Sequence, residues 1–173
     1  MYDILKYTDE TDKSLGVAGM AIALLACDGE NFISSVSIEE DEDTLMFAPD
    51  AFFMGNPRFS AKVAWNQLLR EYHVFSGMLI GNILCRHIVP DRSVRSELIS
   101  MLRSLVAEHG TSVCELEDDE IDSFFSRDMN YFSELFSHPT VIDVAGRFAT
   151  TLRMQRRMTA GDIFENLSRL SSL

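Results

Sequence analysis

The sequence predicts a mainly α protein: one domain over residues 1–173, a helical bundle of about six helices with one small β-hairpin near the N-terminus. Three observations carry this expectation. Apolar residues recur every three or four positions in successive stretches, which is the period of an amphipathic helix. Only Asn31 to Ala48 changes to a period of two, the mark of a half-buried strand. Hydrophobic residues at 46% against charged residues at 24% give a chain of 173 residues enough apolar surface for a real core. No repeat or low-complexity linker divides it, so a hairpin-bearing part, 1–58, leads directly into a helical body, 59–173. Short helix–helix connections then favour antiparallel neighbours.

The elements follow in order. Residues 1–13 are polar and acidic, with Tyr2 and Tyr7 as possible anchors. A helix starts near Asp12 or Ser14, either of which can cap it, and runs to about Cys27, where Asp28-Gly29 stops it. Gly16 and Gly19 weaken that helix, so close packing is their expected reason. Its apolar run, Leu15 to Cys27, ends like a lipoprotein processing site, but Asp3, Asp9, Glu10 and Asp12 before it have the wrong sign for a signal peptide. The run is also too short to span a bilayer, which leaves a buried core helix. Phe32, Val36 and Ile38 alternate with polar residues, as do Leu45 and Phe47, giving strands at 32–38 and 44–48 around the acidic tip Glu39 to Asp43.

Phe59 to Val89 carries no proline, and Asn56-Pro57 and Pro90 bracket it, so a helix of about 30 residues and ~45 Å is expected. Its first half is striped, with Ala61, Ala64, Trp65, Leu68, Tyr72 and Phe75 on one side. From Val74 onward it is apolar all round, apart from Ser76, Asn82, Arg86 and His87, and should be buried. Val94, Leu98, Met101, Leu102, Leu105 and Val106 form the next stripe, with Gly110 as its expected stop. Acids at 118–122 suit the positive end of a helix carrying Ile121, Phe125, Phe132 and Phe136. His138-Pro139 breaks it and opens another, with Val141, Val144, Phe148 and Leu152 on one face. Thr159 and Asp162 have capping-box spacing before a last short helix.

The formal net charge is -12, concentrated at the N-terminal end: residues 1–58 hold 12 acids against 3 bases. An acidic field disfavours non-specific contact with nucleic acid or anionic membrane. Three widely spaced cysteines, Cys27, Cys85 and Cys114, read as free buried thiols of a cytoplasmic protein. The acids at 39–43 and 115–122 lack the glycine and spacing of a calcium loop, and no Cys/His spacing suggests zinc, so no metal and no cofactor is expected. Nucleophile-elbow and phosphate-loop motifs are absent too, leaving any enzyme with an active site assembled from distant segments.

Two features invite a partner. Phe52, Phe53 and Met54 are adjacent in a loop, either a plug under the hairpin or an interface. Gly77 and Gly81 leave a bare strip on the long helix, for a neighbouring helix or a second subunit. Together they motivate a protein–protein interaction or assembly domain that forms a homodimer. The alternative is a nucleic-acid-binding or transcription-related module using Arg153, Arg156 and Arg157, although the helix after them is acidic where bases would be read. Ala26-Cys27-Asp28-Gly29-Glu30 is similar to the helix-ending acidic motif of tellurite-resistance-type helical domains; the similarity covers these few residues and implies no residue roles.

Overall fold

The computed structural model describes residues 6–39, 44–49, 51 and 61–172. Six α-helices and a small three-stranded antiparallel sheet make up these residues: α1 (Glu10–Ala26), β1 (Ile33–Ser37), β2 (Leu45–Phe47), α2 (Ala61–Ile88), α3 (Ser96–Cys114), α4 (Asp118–Ser137), α5 (Pro139–Gln155), β3 (Arg157–Thr159) and α6 (Ala160–Leu167).

The core is organised around α1 and the second half of α2. Every residue from Ser14 to Leu24 is buried. Along α2 burial begins at Tyr72 and becomes continuous from Leu79 to Arg86, as the change from striped to all-round apolar character requires. These two helices pack more extensively than any other pair, and α5 covers a further side of α1. Their crossing depends on Gly19 and Gly81. A Cβ built on Gly81 would lie 2.4 Å from the Gly19 carbonyl oxygen, and one on Gly19 would lie 2.0 Å from that of Gly81. Only two glycines let the backbones approach this closely. Around this pair, buried residues of all six helices join β1 and Met158 in one apolar cluster.

Several boundaries differ from the sequence-based expectation. The cap of α1 is Asp9, whose carboxylate accepts from the Asp12 amide at 2.8 Å; Asp12 is one turn inside, committed elsewhere. Gly110 does not stop α3. It lies buried inside the helix under Tyr72 and Ile121, and the stop is Glu115, in the left-handed region at φ 52°. Packing demanded a small residue at 110, and the sequence signal for that is identical to the signal for a cap. Trp65, expected on the buried stripe, is 40% exposed, since the first half of α2 runs outside the core.

The hairpin forms as β1 and β2, with an irregularity between Ile33 and Ser35. A third strand, β3, pairs with the other edge of β1, matching Ser35 to Thr159 and Ser37 to Arg157. The strand order is therefore β2-β1-β3, and residues far apart in sequence meet at β1. Three residues are too few to show a period, so nothing in the sequence announced this strand. The predicted capping boundaries elsewhere are present. His138 ends α4 and caps α5, with Pro139 in its first turn, and Thr159 and Asp162 form a reciprocal capping box on α6. Among the described residues no helix is long and apolar enough to cross a membrane.

Candidate functional site

The residues singled out in the sequence have different fates. Phe52, Phe53 and Met54 lie outside the described residues. Of the two readings of the Gly77 and Gly81 strip, a neighbouring helix of the same chain or a second subunit, the structure has the first: both are buried against the chain's own helices. Gly81 receives the Gly19 backbone of α1, and a Cβ on Gly77 would lie 2.7 Å from the Phe132 ring of α4. Of Arg153, Arg156 and Arg157, the first two are engaged within the chain, and Arg157 is exposed on β3. Arg156, turning the chain at φ 67°, pairs with Glu10 at 2.6 Å and Glu39 at 2.9 Å, and these hydrogen bonds raise its pKa further. Arg153 donates to the Thr11 hydroxyl at 2.9 Å. Arg153 and Arg156 thus tie the end of α5 to α1 and the base of the hairpin.

A different polar group occupies the middle of the fold. Asn82 and Arg86 are one turn apart on α2, in its most apolar part, and both are buried. Neither can remain unsatisfied there without a large cost. Arg86 grips Asp12 of α1 in a fork, Nε to Oδ1 at 2.7 Å and Nη2 to Oδ2 at 2.7 Å. Nη2 also donates to the Lys6 carbonyl at 2.9 Å and Nη1 to Asn82 Oδ1 at 3.3 Å. Asn82 donates in turn to the Tyr7 hydroxyl at 2.9 Å, and the guanidinium lies 4.9 Å from the Tyr7 ring centroid. Burial alone would raise the Asp12 carboxyl, but bonds from Arg86 and from the Thr8 amide outweigh it and hold the carboxyl below its ordinary value. Burial raises the Tyr7 phenol. The segment before α1 is thereby held against the end of α2.

This group forms the floor of a cleft of about 200 Å³. Lys6, Thr8 and Asp12 line one side, Ile83, Arg86 and His87 another, and Arg92, Arg95 and Leu98 the third. The walls are therefore the segment before α1, the last turns of α2, and the start of α3. His87 Nδ1 lies 2.9 Å from the Ile83 carbonyl, to which it donates.

A second cavity, about 260 Å³, lies between α2 and α4 and is lined by Cys27, His73, Arg127, Asp128, Tyr131 and Phe132. Its residue types are those of a thiol nucleophile with a His–Asp pair, but the geometry is different. His73 Nδ1 donates to Asp128 at 3.0 Å, and Nε2, the position a nucleophile would need, accepts from Arg127 at 2.6 Å. The Cys27 thiol donates to the His73 backbone carbonyl, with sulfur and oxygen 3.8 Å apart. Burial, then the charges of Asp128 and Asp28, push the thiol pKa up to about 12, the opposite of the shift that makes a reactive thiolate. All three cysteines are free. Among the described residues no group of three or more His, Cys, Asp or Glu side chains comes together to hold a metal ion.

Sequence reasoning noted Asn82 and Arg86 as polar residues in an apolar helix but could not supply their partners, because Asp12 is 74 positions away from Arg86. The i, i+4 spacing of two hydrogen-bonding groups on one buried face was the available signal. Comparison with known proteins adds no assignment: no family model, no curated protein and no solved structure matches the chain.

Proposed function

We propose that this chain is a cytoplasmic protein-interaction domain that assembles with a second copy of itself, through the outer edge of β2 and the entrance of α2. The observation that carries this reading is at β2. Met46 is 45% exposed and Phe47 37% exposed, and successive strand residues point to opposite faces. Met46 takes no part in the chain's apolar cluster, so apolar area lies open on an edge strand. The side of β2 away from β1 pairs with no other strand among the described residues, and such an edge is a template for another strand. An antiparallel β2–β2 contact is self-complementary about a twofold axis, the commonest closed symmetry of soluble assemblies.

The start of α2 offers further apolar area. Trp65 and Val63, 40% and 38% exposed, stand at the entrance of α2, and the apolar triplet Phe52-Phe53-Met54 lies between β2 and α2 in sequence. Tryptophan and phenylalanine are the types enriched at interface centres. The three free thiols favour a reducing compartment. The test is sedimentation at micromolar concentration in low and high salt. A dimer is expected, tightening with salt because each copy carries a net charge of -12. Phe47→Lys and Phe53→Asp should each shift it toward monomer with the helical circular dichroism unchanged. A monomer mass at both salt concentrations refutes the reading; loss of the fold in Phe53→Asp would place that residue in the core.

A further inference from the structure

The cleft above Arg86 has a chemistry that the interaction reading does not use. We propose that it binds the phosphate or diphosphate group of a small molecule, with Arg92 and Arg95 as the direct ligands and the Arg86–Asp12 pair as a fixed floor.

The first argument is charge. The chain carries 27 acids and 15 Lys or Arg residues, yet Lys6, Arg86, Arg92, Arg95 and His87 converge on this cavity, with Asp12 as the one acid among its described lining residues. Asp12 is already neutralised by its fork to Arg86. In a chain this rich in carboxylates, several arginines elsewhere pair with one, and Arg70 and Arg153, which do not, are held by a backbone carbonyl and by hydroxyls. Arg103 pairs with Asp122, Arg147 and Arg169 with Asp143, and Arg156 with Glu10 and Glu39. Arg92 and Arg95 form no ion pair with any described residue, and both are exposed at the rim. An anion at this rim would be attracted by both guanidiniums.

The second argument is geometry. The floor is preorganised: Arg86 is nine-tenths buried and its fork to Asp12 closes at 2.7 Å on both sides. The wall formed by α3 is its first turn. Arg95 is the N-cap, makes no side-chain cap bond, and is followed by 19 helical residues. Leu98, the other α3 residue on this wall, already donates its amide to the Arg95 carbonyl at 3.0 Å, so the wall contributes the positive end of the dipole and the Arg95 guanidinium. Two guanidiniums at one rim match the many-acceptor geometry of phosphate better than that of a single carboxylate.

The third argument is size. About 200 Å³ is smaller than the roughly 300–1,000 Å³ of sites that enclose a whole drug-sized ligand. One or two phosphate groups fit inside, and the rest of the molecule would lie outside. A recessed site also disfavours an extended polyanion, which the overall charge of -12 repels.

The experiment titrates inorganic pyrophosphate into the isotope-labelled full chain, with amide shifts read by nuclear magnetic resonance. Saturable, single-site shifts centred on residues 86–98 and 6–12 are expected. Arg92→Gln plus Arg95→Gln should weaken binding by about tenfold or more, each lost charge-assisted contact contributing its share. Both side chains are exposed, so the melting temperature of this double variant should stay at the parent value and confirm that the fold is intact. Arg153→Gln, outside the cleft, should leave binding unchanged. Unsaturable shifts, equal affinity in the double variant, or equal weakening by Arg153→Gln would each overturn the proposal. So would capture of the protein by anionic lipid vesicles without a response to pyrophosphate.

Discussion

Replacing Gly81 by alanine should destabilise this protein even though alanine is the better helix former. On propensity alone the change favours the helix by about 1 kcal/mol. The added methyl, however, would meet the Gly19 carbonyl oxygen at 2.4 Å and the Ala23 Cβ at 2.8 Å. One of these is backbone in the middle of the buried stretch of α1 and cannot rotate aside. The α1–α2 crossing must open by roughly 1 Å, and a gap of that order forfeits a quarter to a half of the dispersion energy of the contacts along it. Overpacking costs of about 1–3 kcal/mol are usual, and a backbone clash belongs at the upper end. The net expectation is a loss of about 2 kcal/mol, or about 4–8 °C in melting temperature for a chain of this size. Gly146→Ala is the internal control. It is also within a helix, but its Cβ would meet nothing nearer than Val89 at 4.0 Å. That variant should gain about 0.5–1 kcal/mol. Denaturant unfolding followed by far-ultraviolet circular dichroism compares both with the parent. A Gly81→Ala protein as stable as the parent, or more so, would refute the close crossing of α1 and α2.

Two further expectations follow from the same core. Ile83→Ala, at a position 1% exposed, should cost about 2–5 kcal/mol, and a loss below about 1 kcal/mol in denaturant melts would move this part of α2 to the surface. Stability should also fall on acidification in two windows: burial of His109, stacked on Phe75 at 3.8 Å, depresses its imidazole despite the opposing charge of Glu71, so the unfolded chain takes up that proton first and stability is lost as pH drops from about 6.5 through the folded value. The depressed Asp12 carboxyl adds a second loss below about pH 4, as pH falls through its folded value; His109→Phe should flatten the upper window and Asp12→Asn the lower one, and pH-dependent melts unchanged by both substitutions would contradict these environments.

Much of the fold was determined by local sequence. The helical period, the change to a period of two at residues 32–38, the His138-Pro139 break and the Thr159–Asp162 box each act within a few residues, so each is legible without knowing what lies opposite. The switch in α2 from striped to all-round apolar is also local, and it marked where the core begins. Tertiary structure decided everything that needs a second segment. Gly110 and Gly81 carry one signal, a missing side chain, and only their neighbours reveal that both serve close packing, not a stop or a subunit contact. The three residues of β3 form a strand because β1 offers its free edge. Arg153 and Arg156 looked like a basic patch because consecutive charges are visible in sequence, whereas the residues they bond, Thr11 and Glu10 and Glu39, come from the other end of the chain. The cleft shows the converse: Lys6, Arg86, Arg92 and Arg95 come from the segment before α1, the end of α2 and the start of α3, and the packing of these three pieces brings them together. Hydrophobic period and capping depend on neighbours along the chain, whereas electrostatic and shape complementarity depend on neighbours in space, and these are set only when the backbone closes.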